Sequence, residues 1–327
     1  MSYPNEVVTR ANEITSARRL AAEQTQRARH REISEKAPDI IKYEAQLAET
    51  GLAVLKALTM GGDAQKYIKE LSEQNLNIQK CIRNELVKAG YPADYLETPY
   101  TCKSCEDTGF KAGVACSCRK ALLAELNAAE LEKVSPAKYC RFDNFDISLY
   151  DEAPDDVYGI PQRERMSDIL EYCKNYADDF DSESCSLYMH GATGLGKTHL
   201  SLAIANVAVR KGYNVIYASA QNLFTALEKD KFGNYGADSL DEYLDCDLLI
   251  IDDLGSEFTT QYTVSELYNI INTRINTSKP VIISTNLTET EFEKKYTQRI
   301  TSRIIGSYES LLFVGRDIRQ IKSKTEE

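Results

Sequence analysis

The chain shows two kinds of hydrophobic pattern, one in its first 98 residues and another beyond residue 185. In the first region, apolar residues such as Ile78, Ile82 and Leu86 recur at helical spacing among polar residues. In the second, short continuous apolar runs alternate with amphipathic stretches of helical length. Continuous apolar runs are typical of parallel strands that are buried on both faces. The alternation therefore predicts a three-layer α/β domain with a parallel sheet, preceded by a helical N-terminal region.

Glycine and proline refine these elements. Gly61–Gly62 should separate two N-terminal helices, and Gly90 with Pro92 should end the second. The helical region carries no catalytic constellation, so it predicts either a docking surface or a structural bundle. Residues 121 to 160 should contain a short helix and then an acidic linker. The predicted strands are 186–189, 214–218, 247–252, 280–284 and 311–314, and the predicted helices include 161–176 and 220–228.

Charge and cysteine content limit the classes of protein. The formal charge is −11, but residues 143–184 alone hold 13 acidic and three basic residues, whereas the chain from residue 294 holds eight basic and four acidic. The basic C-terminal region predicts either a local anion-binding surface or a solvated tail. No apolar run reaches the ~18 residues of a membrane span, and the N-terminus lacks the apolar core of a signal peptide. We therefore expect a cytoplasmic protein with no membrane partner, in which nine cysteines are not a disulfide framework.

The segment GATGLGKT after the first predicted strand is a phosphate loop. Glycines allow consecutive N–H groups to point at phosphate oxygens, and the following helix adds its positive dipole end. Lys197 should reach the β- and γ-phosphates of ATP, and the Thr198 hydroxyl should hold Mg²⁺. The alternative is a glycine-rich turn that binds nothing. The predicted nucleotide-binding residues are Gly191, Ala192, Thr193, Gly194, Leu195, Gly196, Lys197 and Thr198.

Two later apolar runs deliver polar residues to the same predicted sheet edge. The run 248–251 ends in Asp252 and Asp253. Asp252 should bind the Mg²⁺ shell, and Asp253 should polarise the attacking water. Asn286 follows the next strand and should orient that water, although it could instead cap the helix that begins near Thr288.

Four cysteines predict a metal site. Cys102 and Cys105 form one pair, and Cys116 and Cys118 form another after a glycine-bearing turn. Four thiolates favour a closed, structural Zn²⁺ site, with an iron–sulfur cluster or four buried thiols as alternatives. We expect the other cysteines to be core residues: Cys81, Cys140, Cys173, Cys185 and Cys246.

The motifs GATGLGKTHL, LLIIDDLG, STN and ITSRIIG, in this order, resemble those of the AAA+ ATPases of the bacterial helicase-loader family, of DnaC and DnaI type. The cysteine segment is similar to that of Gram-positive and phage members. The resemblance covers roughly residues 99–319. It implies a helicase-binding domain at 1–98, a zinc module at 99–120, a helix and linker at 121–160, and an AAA+ ATPase domain at 161–327.

The resemblance also implies functional roles. Arg303 corresponds to the arginine finger, which acts on ATP bound by a neighbouring subunit, and Arg319 corresponds to the sensor-2 arginine, with Arg316 as its rival. Each arginine could instead form a surface salt bridge. Asp253 replaces the glutamate of most members, which favours slow hydrolysis by an ATP-dependent switch. The usual helical lid is expected to be missing or reduced to a stub, so a neighbouring subunit should cover the nucleotide and the ATPase domains should self-associate.

The implied function is loading of the replicative hexameric helicase onto single-stranded DNA during replication initiation, with ATP, Mg²⁺ and Zn²⁺ as cofactors. Two alternatives remain: an ATPase helper of a transposase, and an ATP-dependent chaperone that does not bind DNA. Two segments are candidates for a weak DNA-binding surface, although the second could be a solvated connection. They contain Lys294, Lys295 and Arg299, and Lys229, Lys231, Phe232 and Tyr235.

Overall fold

The computed structural model describes residues 3–58, 64–232 and 239–325. The chain divides into two compact units, one of Asn12–Cys116 and one of Met1–Ala11 with Ser117–Glu327. The helices are α1 Asn5–Lys36, α2 Pro38–Leu58, α3 Ala64–Lys88, α4 Ser117–Val134, α5 Gln162–Asp179, α6 Lys197–Arg210, α7 Ala220–Phe232, α8 Ser239–Asp245, α9 Gln261–Asn276, α10 Glu289–Tyr296, α11 Gln298–Ser307 and α12 Ile318–Thr325. The strands are β1 Phe110–Lys111, β2 Val114–Ala115, β3 Ser186–His190, β4 Val215–Ser219, β5 Leu248–Asp252, β6 Val281–Thr285 and β7 Tyr308–Leu312.

The Asn12–Cys116 unit is mainly helical. Ile33, Ile40 and Leu86 form a small core in which each side chain is at most 1% exposed. Helix α3 ends as its sequence predicts, because Gly90 has a φ of 84° and the N–H groups of Gly90 and Tyr91 donate to carbonyls of the last turn. This is a glycine-dependent C-cap that satisfies otherwise unpaired carbonyl groups.

The second unit contains a five-stranded parallel sheet in the order β4-β5-β6-β3-β7. Alternate residues of β5 point to opposite faces: Leu248 and Ile250 join one core cluster, and Leu249 and Ile251 join the other. Helices α5 and α6 supply the first cluster, and α7, α9, α10 and α11 supply the second. Both faces of the sheet are covered, which explains the continuous apolar runs and confirms the predicted three-layer α/β fold.

Three local predictions need correction. The last strand lies at Tyr308–Leu312 and not at the predicted 311–314. Tyr308 and Leu311 pack into the core, while the two residues between them are exposed. Helix α7 continues to Phe232, so Lys229 and Lys231 are helical rather than part of a loop. Cys81 and Cys185 are exposed, unlike the other three cysteines predicted for the core. Gly61, Gly62 and Tyr235 lie outside the described residues.

Among the described helices, none combines the length and the apolar character needed to cross a membrane.

Candidate nucleotide site and metal centre

A cavity of about 450 Å³ lies at the carboxyl ends of β3, β5 and β6. The phosphate loop, Asp252, Asp253 and Asn286 all line it. In an open parallel sheet, this edge is where ligands bind. The structure thus brings together residues that the sequence placed after three separate strands.

The phosphate loop needs its glycines here. Gly196 has a φ of 90° and precedes the first residue of α6. A Cβ atom at this position would lie only 2.6 Å from the ring of Phe145. Only glycine accepts this conformation and this close approach, so the loop can turn directly into α6 and point the helix N-terminus at the cavity.

Lys197 is buried under the loop, with 6% of its surface exposed. Its Nζ donates to the carbonyl oxygens of Gly191 and Ala192, at 2.8 and 2.7 Å, and to Oδ1 of Asn286 at 2.7 Å. Burial lowers the pKa of Lys197 to about 8; the carboxylates of Asp253 and Asp252 oppose this shift, and Arg319 adds to it. An anion that enters the cavity would raise this pKa and so favour the charged form of Lys197.

Asp252 is held at the centre of a hydrogen-bond cluster. Its carboxylate accepts bonds from the hydroxyl groups of Thr198 at 2.9 and 3.0 Å, Ser284 at 2.5 Å and Tyr217 at 2.8 Å. Asp252 is 6% exposed and Thr198 is its neighbour on the cavity wall. A carboxylate and a hydroxyl in direct contact are a donor set that suits Mg²⁺. Ser284 and Tyr217, which orient Asp252, were not predicted as site residues.

Asp253 and Asn286 are in direct contact. Nδ2 of Asn286 donates to Oδ1 of Asp253 at 2.6 Å, while its Oδ1 accepts from Lys197. Asp253 adopts a left-handed conformation with a φ of 56°, and its N–H donates to Ser284 Oγ at 2.8 Å. Asn286 is not the cap of α10, because Thr288 fills that position. The three polar groups Lys197, Asn286 and Asp253 therefore form one continuous chain across the cavity.

The segment 136–150 forms a wall of the cavity that was not predicted. The Tyr150 hydroxyl donates to the Leu195 carbonyl oxygen of the phosphate loop at 2.8 Å, and Tyr150 is 3% exposed. Phe145 stacks on Tyr150 with 5.8 Å between ring centroids and also contacts the ring of His199. Burial raises the pKa of Tyr150. The segment assigned as a linker thus supplies aromatic surface beside the loop, and its spaced Phe and Tyr residues were the available signal.

The arginines separate into two locations. Arg319 lines the cavity, whereas its rival Arg316 is exposed and does not belong to the described lining. The backbone N–H of Ile318 donates to Gly194 O at 3.1 Å, which fixes the start of α12 against the phosphate loop. Arg303 is also not part of that lining; it lies on α11 against Tyr268.

We expect the affinity for ATP to fall as the pH rises above about 8. The unliganded lysine has a pKa of about 8. Bound phosphates should raise it, because they stabilise the charged form. ATP binding should then take up a proton, and affinity should decrease by up to about tenfold per pH unit above the unliganded pKa. Titration of a fluorescent ATP analogue between pH 7 and 9.5 measures this effect.

The control is the Lys197→Arg variant, whose guanidinium stays charged. Its ATP affinity should not change with pH over this range, and an equal slope in both proteins would contradict the assignment of the effect to Lys197.

The four predicted metal ligands lie together. The sulfur atoms of Cys102, Cys105, Cys116 and Cys118 are all within 4.8 Å of one another. Strands β1 and β2 form the expected turn between the two pairs, with Phe110 opposite Ala115. Asp107 is 4% exposed and its carboxylate accepts from the N–H groups of Thr101 and Cys102, both at 2.8 Å. These bonds hold the first pair in place for a ligand.

The sulfur spacing suits a single metal ion. Cys102 Sγ and Cys116 Sγ are 3.8 Å apart. A tetrahedral ion with metal–sulfur bonds of about 2.3 Å requires about 3.8 Å between its sulfurs. A multi-iron cluster holds cysteines on at least two irons, so some of its sulfurs lie further apart than the 4.8 Å within which all four fall here. The cluster can therefore hold one metal ion such as zinc.

The candidate DNA-binding residues are only partly available. Lys295 donates to the backbone carbonyls of Gly255 and Glu257 and pairs with the buried Glu257 carboxylate, so its charge is already used. Lys231 Nζ lies 4.0 Å from the ring centroid of Tyr262. The side chain of Phe232 is outside the described part of the chain.

A match to a known protein family supports the interpretation of this cavity as a nucleotide site. Residues 176–307 match the family described as "IstB-like ATP binding protein". This range includes the phosphate loop, the Asp252–Asp253 strand and Asn286, but not the wall formed by residues 136–150 or Arg319.

Several characterised proteins are similar to part of the chain. The replicative helicase loader DnaC of Escherichia coli K12 is 28% identical over 168 residues, which is 50% of this chain and 62% of DnaC. The chromosomal replication initiator DnaA of Campylobacter jejuni 81-176 is 35% identical over 121 residues, which is 36% of this chain and 26% of DnaA. A crystal structure of the DnaC helicase loader aligns with a TM-score of 0.46 at 22% identity, over 55% of this chain and 99% of that one. The chain thus spans less than two thirds of the curated DnaC sequence.

Proposed function

Since residues 176–307 form an AAA+ domain of the IstB/DnaC family, we propose that this protein is an ATP-dependent loader of the replicative helicase onto single-stranded DNA. In this proposal ATP binding and slow hydrolysis act as a switch. The observation that carries it is the cavity in which Lys197, Asp252, Asp253 and Asn286 converge. The similarity to a DnaC helicase loader supports the choice of partner.

Each residue of the cavity would take a defined part in hydrolysis. Phosphate oxygens would replace the Gly191 and Ala192 carbonyls as acceptors for Lys197, so ATP entry should free the loop carbonyls. Thr198 and Asp252 would hold Mg²⁺, which supplies neutralising charge for the β- and γ-phosphates. Asn286 and Asp253 would together orient a water against the γ-phosphate, and Asp253 would accept its proton. The hydrogen bond from Asn286 orients the Asp253 carboxylate.

Assembly would complete the site. Arg303 does not reach the described cavity lining of its own chain, and a guanidinium supplied by a neighbour would make hydrolysis depend on contact between ATPase domains. Arg319 lies on its own cavity and would act on the nucleotide bound there. We propose self-association through the ATPase domains on this basis.

The N-terminal helices would bind the helicase, and the metal module would have a structural role. Helices α1 to α3 bear no catalytic group, and we propose that they bind the hexameric helicase. The metal would be one structural Zn²⁺ per chain, held by the four cysteines. DNA binding should be weak and local, because the net charge of −11 disfavours a broad phosphate contact.

A transposase helper is the second candidate, because that class shares the ATPase motifs that lie within the matched range. The two differ in partner, because a transposase helper should not recognise a replicative helicase. We favour the loader because we do not expect the helper class to carry the four-cysteine module that is present here.

We expect this protein to bind labelled single-stranded DNA weakly alone and more tightly with ATP and a bacterial replicative hexameric helicase. ATP binding through Lys197 should switch the assembled state, so the gain should be lost with ADP and in the Lys197→Ala variant. Affinity should fall with salt by a slope that reflects only a few phosphate contacts. Fluorescence anisotropy at two salt concentrations, with pull-down of the helicase, measures both interactions.

The outcomes separate the candidates. Helicase capture with ATP-dependent DNA binding supports the loader. Capture of a transposase but not the helicase supports the helper. ATP turnover without any DNA binding, even with helicase present, would favour the chaperone function and contradict the proposal.

A further inference from the structure

One tyrosine on α9 contacts two arginines of α11. The guanidinium carbons of Arg299 and Arg303 lie 5.3 and 5.2 Å from the ring centroid of Tyr268. Arg303 also donates from Nη2 to the Tyr268 hydroxyl oxygen at 3.1 Å. Cation–π contacts of this length are attractive, and arginine favours them because its guanidinium is planar and weakly hydrated.

The core holds both helices in place around this contact. Leu267, the residue before Tyr268, is fully buried, and Ile300 and Ile304, which follow the two arginines, are each 1% exposed. All three belong to the same core cluster beneath the sheet. The backbones that carry the ring and the two arginines are therefore fixed, while the side chains remain partly accessible.

The two arginines are not equivalent. They are four residues apart, so they lie side by side on one face of α11 and repel each other. The ring attracts both, but the hydroxyl bond is made by Arg303. Arg303 is half-buried and Arg299 is exposed. The tyrosine therefore holds Arg303 by its ring and its hydroxyl, and contacts Arg299 by its ring.

We infer that Tyr268 is a positioning residue for Arg303, which it holds ready to contact ATP on a neighbouring subunit. This inference rests on the proposed role of Arg303 in trans. A free arginine side chain samples many rotamers, so a fixed ring and one hydrogen-bond acceptor reduce what must be ordered during assembly. Misplacement of a catalytic group by about 1 Å can lower a rate about 100-fold. Tyr268 should therefore affect turnover in assemblies and not the binding of nucleotide.

Two substitutions separate the ring from its hydroxyl. Tyr268→Phe keeps the platform and removes the acceptor, and Tyr268→Leu removes both. We expect kcat for ATP, measured at protein concentrations where the ATPase domains associate, to fall about threefold in the first and at least about tenfold in the second. The Kd for a fluorescent ATP analogue should stay unchanged. Tyr262→Phe is the matched control, because Tyr262 lies on the same helix, has a lysine over its ring and donates through its hydroxyl to Leu227 O.

A double-mutant comparison and a mixing experiment distinguish positioning from a structural effect. In an Arg303→Ala background, Tyr268→Leu should cause no further loss. Tyr268→Leu protein mixed with Lys197→Ala protein should regain activity, because one interface then joins an intact loop to an intact finger. Tyr268→Leu mixed with Arg303→Ala should not regain it, because both lack the same side of the contact. If Tyr268→Leu fails to fold, the phenylalanine variant is tested in the same background and mixtures.

The possible failures are distinct. If Arg303→Ala leaves turnover unchanged, the trans role in the proposed function is wrong, and this inference falls with it. If Arg303→Ala lowers turnover while both Tyr268 variants match the wild type, only the inference is wrong. A Tyr268 effect that persists in the Arg303→Ala background, or a changed Kd for nucleotide, would also overturn it.

Discussion

Lys197→Ala should abolish ATP turnover and weaken ATP binding by about 100-fold. The lysine supplies up to three charged donors to the phosphates, and a hydrogen bond between charged groups contributes about 1.5–3 kcal/mol. The cavity offers no replacement at this point, because the loop carbonyls that Lys197 contacts are acceptors. Titration with a fluorescent ATP analogue and a phosphate-release assay measure the two effects.

The matched control for this experiment is Lys211→Ala. Lys211 is the C-cap of the same helix, is exposed, and donates to the backbone carbonyl of Asp178 rather than to the cavity. It should bind and hydrolyse ATP like the wild type. Unchanged affinity together with unchanged turnover in Lys197→Ala would refute the nucleotide site.

The purified protein should contain close to one zinc ion per chain, and Cys102→Ser should lose it. A structural zinc ion in a small module contributes about 10–16 kcal/mol of binding free energy, which is also folding free energy for the segment. Hydrogen exchange over residues 99–120 should therefore become fast in Cys102→Ser or after chelation. ATP affinity should stay within about twofold, because none of the four cysteines is among the described residues that line the nucleotide cavity.

Cys81→Ser is the control for loss of a thiol, since Cys81 is exposed and outside the cluster. It should retain its metal and its slow exchange. Absence of metal in the wild type, or iron in its place, would overturn the zinc assignment.

Much of the candidate site could be predicted from the sequence because its signals are local. The phosphate loop is one contiguous segment between a strand and a helix, and its glycines are required by its own backbone. Asp252, Asp253 and Asn286 each end an apolar run, and parallel strands place their carboxyl ends at one edge. The proximity of the four cysteines could also be predicted, because the two cysteines of each pair are close in sequence and one short turn joins the pairs.

The errors arose where local signals are weak. Because residues 311–314 form an apolar run, the last strand was predicted too far along the sequence. Its pairing with β3 places it at Tyr308–Leu312. Lys295 looked like a DNA contact because it is basic, but its neighbours in space are the carbonyls of Gly255 and Glu257. A single sequence shows the charge and the secondary-structure propensity of each residue. It does not show which group, distant along the chain, a side chain contacts.

The sequence by itself determined the three-layer fold, the order of the nucleotide motifs and the four cysteines that come together, because each follows from periodicity or from residues that are close along the chain. Only the tertiary structure decided that residues 136–150 line the nucleotide cavity, that Ser284 and Tyr217 orient Asp252, and that Tyr268 holds Arg303. The hydrogen bonds among these contacts join residues 32 to 45 positions apart. Packing of the helices and strands on one another creates them, and no spacing rule within a single element encodes them.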